Sequence, residues 1–350
     1  MCAKAWAWTT RAPSRPSAER HRTFEVGAGP VVRLEHTAPD LRIHPRSHAI
    51  AAALNVTERT SESIRFRPTQ RVRELFAYRE ILLNLVRKEL KVKYTASVLG
   101  AVWSILNPIV FLAVFTFVVK ILGNATPHYP VFLLSGLLAW NLFSVATGNG
   151  TRSVIDNGNL VKKVAFPREI LPLSVVGVAL VDFVLQSMVL LAFILVSGYG
   201  MHASALVLYP LSFVTLVVFT TALVFWVSAL NVRYRDIQHL IGLALLVWFW
   251  MTPIVYPGGL VQDKLTDHSY LWILYLLNPL TPIVSGFQRG LYATVSYVPA
   301  GQTSPTPVLP AVSVAWLIGV ISLTLVVSCF LLLYAWRLFF RLSGDFAEEL

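Results

Sequence analysis

The chain has 350 residues, of which 55% are hydrophobic and only 13% are charged, and its formal net charge is +11. Soluble proteins average about 25% charged residues, so this composition excludes an ordinary soluble enzyme and indicates an integral membrane protein. The positive charge does not indicate a nucleic-acid-binding protein, because 18 of the 29 lysines and arginines lie before residue 99. We attribute the excess to an amino-terminal tail and to membrane topology.

Residues 1–68 form a segment rich in Arg, Pro, Ala, Ser and Thr. No apolar run in this segment is long enough for the core of a signal peptide, and such a composition is typical of disorder. Its four histidines have no carboxylate or thiol near them at ligand spacing, which argues against a metal site. The two cysteines, Cys2 and Cys329, show no spacing that suggests a disulfide framework. We predict a disordered, basic cytoplasmic tail.

The next segment, VRELFAYREILLNLVRKELKVKY at residues 72–94, is amphipathic. On an α-helix its apolar stripe would consist of Val72, Phe76, Leu83, Val86 and Leu90. A basic amphipathic helix fits the membrane surface. The alternative is a soluble helix that packs on a small tail domain, but residues 1–68 offer no core for it. We therefore predict an interfacial helix over residues 69–97.

Six later segments are long and apolar enough to cross a bilayer, whose hydrocarbon core of about 30 Å requires roughly 20 helical residues. They lie at about 99–121, 129–146, 170–197, 204–230, 237–256 and 312–336. The loops between them are alternately rich and poor in Lys and Arg, and basic loops stay in the cytoplasm. We predict an all-α, multi-pass protein of the plasma (inner) membrane. It has six transmembrane helices over residues 98–340, and both termini, including a tail at 341–350, are cytoplasmic.

The connection between the fifth and sixth spans contains a further hydrophobic stretch, from Tyr270 to Ala293. Asn278, Pro279 and Pro282 interrupt it, so we do not predict a seventh span. Irregular backbone at membrane depth is tolerated only where protein or a water-filled cavity surrounds it. We predict short re-entrant helices on the outer face that cap the spans.

The sequence contains no motif for nucleotide hydrolysis or metal-dependent catalysis. No G-x-x-x-x-G-K-[ST], H-E-x-x-H or G-x-S-x-G occurs, so no phosphate-binding loop for ATP is present. The chain cannot itself be a P-loop ATPase, and we predict no catalytic, metal-binding or cofactor-binding residues in it. Asp182 is the one acidic residue deep in a predicted span, with Gln186 on the same helix face. Such a carboxylate either forms a hydrogen bond between helices or lines a polar pathway.

Four short sequences occur in this order: LKVKYTASVLGAVWSILNPI at 90–109, NGNLVKKVAFPREILP at 157–172, NVRYRDI at 231–237 and NPLTPIV at 278–284. Together they resemble the permease subunits of type-2 ABC exporters for polysaccharides and polyol phosphates, and the resemblance covers about residues 70–340. It implies a homodimer that works with two copies of a separate ATPase subunit, which binds ATP and Mg. It also implies export of a lipid-linked glycan of O-antigen, teichoic-acid or galactan type.

In that family the loop between the second and third spans is a coupling helix that docks on the ATPase. Matched residue by residue, the resemblance assigns this contact to Leu160, Val161, Lys162, Lys163, Phe166, Pro167, Arg168 and Glu169. Apolar side chains at 161, 164 and 166 surrounded by charges are typical of an interface core with a polar rim. The alternative is a loop that only sets topology, for which the charges alone would suffice.

The family's substrate path is lined partly by aromatic side chains. The candidates here, with Asp182, are Trp103, Phe111, Phe115, Trp140, Trp248 and Trp250. A single tryptophan near a span end is more often an interfacial anchor. We therefore predict that these residues line a substrate path as a group, and make no such prediction for any one of them.

Other classes of membrane protein are alternatives to the polysaccharide exporter. A membrane-embedded transferase should carry a constellation of carboxylates or histidines near one membrane face, and none is evident. A channel or secondary transporter should show internal repeats or charges within spans, and only Asp182 fits that description. Within the exporter class, the runner-up is a drug or lipid exporter permease of the same architecture.

Overall fold

The computed structural model describes residues 68–95, 102–121, 126–200, 203–265, 269–292, 295–298 and 305–350. Nearly all of the predicted disordered tail therefore lies outside the described residues. Within the described residues the structure is a bundle of helices with one antiparallel pair of two-residue strands.

The helices, in chain order, are α1 (Pro68–Ala77), α2 (Arg79–Thr95), α3 (Val102–Ile121), α4 (Tyr129–Asp156), α5 (Gly158–Lys163), α6 (Ile170–Val196), α7 (Ala205–Arg233), α8 (Ile237–Met251), α9 (Gly258–Leu265), α10 (Ser269–Leu277), α11 (Leu280–Leu291), α12 (Val314–Leu342) and α13 (Phe346–Glu349). The strands are β1 (Ser296–Tyr297) and β2 (Thr306–Pro307). Their register places Ser296 opposite Pro307 and Tyr297 opposite Thr306.

Four helices, α4, α6, α7 and α12, are long and apolar enough to cross a membrane. Each has 27 to 29 residues, which corresponds to about 40 Å at 1.5 Å per residue. Leu106–Ile121 in α3 and Ile237–Met251 in α8 are shorter apolar helices. The structure thus confirms a helical membrane protein, while six spans remain a prediction.

Two of the long helices, α12 and α6, begin or end at residues that the sequence marks as helix boundaries. The hydroxyl of Ser313 accepts a hydrogen bond from the backbone N–H of Trp316, which caps the start of α12. Gly198, at φ +63°, ends α6 in a left-handed turn in which the Tyr199 N–H bonds to the Ile194 carbonyl.

Helix α4 extends ten residues beyond the predicted span at 129–146, so that Arg152 lies in the helix and not in the following loop. Tertiary packing explains the extension, because the far part of α4 is buried against α7. A Cβ added to Gly150 would lie only 2.6 Å from a methyl of Val224 on α7. Only glycine allows this close approach of the two helices.

The predicted single interfacial helix is two helices, α1 and α2, that meet at Tyr78. Leu75, Ile81, Leu82 and Leu85 pack against a core of the bundle, and of the predicted apolar stripe Val86 also lies close to α6. Val72, Phe76 and Leu83 of that stripe are instead exposed by 42%, 66% and 49%. The segment therefore presents one apolar face to the protein and a second one outward.

The connection between α8 and α12 contains the short helices α9, α10 and α11, as the broken hydrophobic stretch predicts. Every residue of α11 except Arg289 is buried, and α11 packs between α4, α7 and α12. By contrast, α10 exposes Tyr270, Ile273 and Leu274 by 60% or more. Whether these helices re-enter a membrane remains a prediction.

Two asparagines from the motifs hold the ends of α8. The buried Asn231 donates to the Thr151 carbonyl of α4 (2.9 Å) and accepts from the Gln238 N–H (3.1 Å). At the other end, the Asn278 side-chain oxygen accepts from the indole N–H of Trp248 at 2.8 Å. These bonds fix both ends of a helix in which Phe249 is the one buried residue, so the motif asparagines have a structural role.

Candidate functional site

Residues 157–169 connect α4 to α6 at one end of the bundle, which we call the α5 end. The turn between α7 and α8 and the terminal helix α13 lie at the same end, because Lys162, Arg235 and Leu350 line a common cavity of about 370 Å³. Beneath them is a separate hydrophobic core, which we call the α5-end core; it includes Leu85, Val154, Ile170, Phe225, Trp336 and Phe339.

Part of the predicted ATPase contact faces into this chain. Val161 is 6% exposed and belongs to the α5-end core, and Leu160 and Phe166 pack against that core from its edge. Glu169 is 2% exposed, and its Oε1 has no hydrogen-bond partner among the described residues. Leu160, Val161 and Phe166 therefore hold the loop on the bundle.

Another part of the predicted ATPase contact faces away from the bundle. Lys162, Lys163 and Val164 are exposed, and Val164 has 48% of its surface free. One exposed apolar side chain beside two lysines is a compact patch on which another protein can dock. We call these three residues the loop patch.

Pro167 and Arg168 are partly buried where the chain turns toward α6. The Nη1 atom of Arg168 donates a hydrogen bond to the Gly344 carbonyl oxygen at 3.5 Å. Burial lowers the pKa of the Arg168 guanidinium, and the adjacent Glu169 carboxylate opposes the shift. An arginine so shifted is still a cation at neutral pH, so this contact links a charged loop residue to the carboxy-terminal segment.

The carboxy-terminal segment packs against the loop, a contact that was not predicted. Phe346 is 1% exposed, and its ring centroid lies 5.4 Å from that of Phe339. Leu350 lies beside Gly158, where an added Cβ would be 3.8 Å from a Leu350 methyl. The predicted cytoplasmic tail at 341–350 is therefore partly the end of α12 and partly a helix that packs against α5.

The structure brings five of the predicted aromatic path residues together. Phe249 is at the centre of this group, which we call the aromatic cluster. Its ring centroid lies 5.3 Å from Trp140, 6.3 Å from Phe111 and 6.4 Å from Phe115. Trp250 contacts Phe115 and Phe249, while Trp248 contacts Phe143 and Phe219 on the other side. The rings pack on one another between α3, α4, α7 and α8, while Trp250 and Phe111 keep 56% and 38% of their surface exposed.

Trp103 and Asp182 lie apart from the aromatic cluster, in a polar cavity of about 130 Å³ that Asn107, Asn141 and Gln186 also line. Asp182 forms an ion pair with Lys93 of α2, with 2.6 Å between Nζ and Oδ2. The hydroxyl of Tyr94 donates to the other carboxylate oxygen at 2.5 Å. Asp182 thus does link helices, one of the two roles considered for it, and it also borders a cavity.

Lys93, Tyr94 and Asn141 were not predicted as site residues. Part of the sequence pattern did point to the ion pair between Lys93 and Asp182. A lysine within LKVKY lies just before a span, and a lone aspartate inside a span needs a partner. The two residues are 89 positions apart, and no local pattern joins them. Among the described residues, no three His, Cys, Asp or Glu side chains could hold a metal ion.

Residues 81–292 match the family described as "ABC-2 type transporter". This match covers α2 to α11 and therefore the loop patch, the aromatic cluster and Asp182. Among curated proteins, the chain is 37% identical over 226 residues to "O-antigen export system permease protein RfbA" of Myxococcus xanthus. The match covers 63% of this chain and 84% of that protein.

Two proteins of the same name from Klebsiella pneumoniae are also similar. They are 33% identical over 213 residues and 32% identical over 206 residues. These matches cover 60% and 59% of this chain, and 79% and 77% of the respective relatives. The resemblance drawn from the four motifs is confirmed, and the chain belongs to the ABC-2 type transporter family as a permease.

Proposed function

We propose that this chain is the transmembrane permease subunit of an ATP-driven exporter that moves a lipid-linked polysaccharide from the cytoplasm to the outer face of the plasma membrane. The observation that carries the proposal is the similarity to three permeases named for O-antigen export over 77% to 84% of their length. O-antigen is a polysaccharide, which favours a glycan over a drug as the exported molecule.

A separate ATPase would bind ATP and Mg, since this chain has no phosphate-binding loop. We propose two permease copies with two ATPase copies, the ATPases docking at the α5 end. The loop patch supports this site, because Lys162, Lys163 and Val164 are exposed on a loop that Leu160, Val161 and Phe166 anchor to the bundle. An exposed, rigid patch suits the transmission of motion between subunits.

Deletion of the chain tests the function directly. Cells that lack it should keep glycan on the cytoplasmic side, and the wild-type chain should restore surface glycan. The purified chain alone should not hydrolyse ATP, whereas co-expression with its ATPase should give a two-plus-two complex by mass measurement in detergent. Normal surface glycan in the deletion strain, or ATP hydrolysis by the isolated chain, would contradict the proposal.

The proposed orientation makes a second prediction, to be measured after both native cysteines are replaced by serine. Asn159 and Val298 are both exposed, at the α5 end and beside β1 respectively. Val298→Cys should react with an impermeant maleimide in intact cells, and Asn159→Cys should react only after lysis. Labelling of Asn159→Cys in intact cells would reverse the topology.

A further inference from the structure

A groove follows one face of α4 and is separate from the aromatic cluster. The α4 residues that line it recur at helical spacing: Leu138, Asn141, Val145, Asn149, Arg152 and Asp156. From 138 to 156 the groove is about 27 Å long at 1.5 Å per residue. Its largest part, about 570 Å³, lies between α2, α4 and α6 and joins the 130 Å³ cavity at Lys93 and Val145.

The lining of this groove, which we call the α4 groove, changes along its length. Near the α5 end it carries charges, including Arg152 and Glu89, and serine hydroxyls. The middle part carries the amides of Asn149, Asn141 and Gln186. Beyond Gln186 the lining becomes apolar, with Ile109, Leu134, Leu138, Val189 and Leu190. This order, polar then apolar, matches an amphiphile whose headgroup points toward the α5 end.

Two features of the polar part indicate the chemistry of that headgroup. Amides, hydroxyls and carboxylates hydrogen-bond sugar hydroxyls, and the ring of Trp103, 53% exposed, borders the cavity where a sugar face can stack. Lys93 and Arg152 are the cations that line this part of the groove. Lys93 pairs with Asp182, and Arg152 pairs with Asp156 at 3.4 Å, but both cations keep accessible side chains, exposed by 39% and 58%. Cations of this kind bind phosphate.

The ion pair at Asp182 suggests how Lys93 becomes available. Asp182 is 9% exposed at its side chain and keeps a hydrogen bond from Tyr94, whereas the Lys93 side chain is far more accessible. A ligand phosphate can therefore take over Lys93 without leaving Asp182 free of hydrogen bonds. Gly177 lets α2 lie close to α6 nearby, because an added Cβ would be 2.8 Å from a Val86 methyl.

We propose that the α4 groove binds the phosphate-bearing headgroup of the lipid-linked glycan, with Lys93 and Arg152 at the phosphate and the amides of Asn141, Asn149 and Gln186 at the adjoining sugar. This inference rests on the proposed function and assigns the headgroup to the side of α4 that faces α2 and α6. The aromatic cluster on the α3 and α8 side is then not where the headgroup is recognised.

The experiment is a protection assay on the full chain in complex with its ATPase, in lipid nanodiscs, with both native cysteines replaced. Asn149→Cys lies exposed in the groove, and Val298→Cys lies exposed outside it and away from the α5 end. The probes are a polyprenyl diphosphate and, separately, phosphatidylglycerol. Polyprenyl diphosphate should slow maleimide modification of Asn149→Cys and leave Val298→Cys unchanged, and phosphatidylglycerol should protect neither.

Variants then test the assigned cations. Lys93→Ala combined with Asp182→Asn removes both charges, so no buried carboxylate is left unpaired. We expect the apparent affinity for polyprenyl diphosphate to fall roughly tenfold or more, the range for one charge-assisted hydrogen bond. Arg152→Gln, at an exposed position, should weaken protection in the same direction, and Lys93→Arg should preserve it.

Three results would overturn the inference. They are no protection by polyprenyl diphosphate, equal protection by phosphatidylglycerol, and an Asn149→Cys that fails to react even without added lipid because another polypeptide covers the groove. Glycan export by the wild-type chain is measured independently in cells. Normal export with an unprotected groove would reject this site and leave the proposed function standing.

Discussion

Replacing Phe346 with alanine should leave membrane insertion intact but remove most glycan export and most of the co-purifying ATPase. Truncation of a fully buried phenylalanine costs about 3–5 kcal/mol, and Phe346 is 1% exposed against Phe339. A four-residue helix has no stability of its own. The expected consequence is therefore release of the terminal segment rather than unfolding of the bundle.

Release of that segment should affect the ATPase because it removes the support of α5. Leu350 would no longer lie beside Gly158, and Arg168 would lose the Gly344 carbonyl. Glu348→Gln on the same helix is the matched control, because Glu348 is exposed. Surface glycan, ATPase retention in detergent and protease sensitivity near residue 344 are the measurements. Wild-type export and ATPase retention by Phe346→Ala would show that the segment does not position the loop.

The long apolar runs made the main helices predictable. A run of about 20 apolar residues has few alternatives to a membrane-spanning or fully buried helix, and the predicted span at 170–197 agrees with α6 to within one residue. The far part of α4 was not predictable, because most of its residues at 147–156 are polar or glycine. Gly150 and Thr151 are buried there only through contact with α7, which hydropathy along the chain does not encode.

At the candidate site, the motifs located the loop but not the direction of its side chains. Alternating apolar and charged residues at 160–169 read as an interface core with a rim, yet Val161 and Phe166 pack on this chain's own α5-end core. That core is assembled from α2, α7 and α12 as well, so the inward side of the loop depends on distant residues. The Lys93–Asp182 ion pair was not predicted for the same reason, because it joins residues that are distant in the sequence.

The partly buried position of Phe166 changes which substitution best separates ATPase docking from a purely topological role of the loop. Phe166→Ala should weaken both export and the packing of the loop, because its side chain contacts the α5-end core. Val164 is 48% exposed and makes a cleaner probe. We expect Val164→Asp to insert and fold normally, since acidic residues have little influence on topology.

If the loop patch is covered by the ATPase, Val164→Asp places a carboxylate inside that interface. Burial of an unpaired charge at an interface costs several kcal/mol, so ATPase co-purification and glycan export should both be lost. Val164→Thr keeps the shape of the side chain and adds only a hydroxyl, so most of both should remain. The comparison requires equal amounts of the two variants in the membrane. Export and ATPase retention at wild-type levels in Val164→Asp would mean that the loop patch faces the cytoplasm without contacting the ATPase.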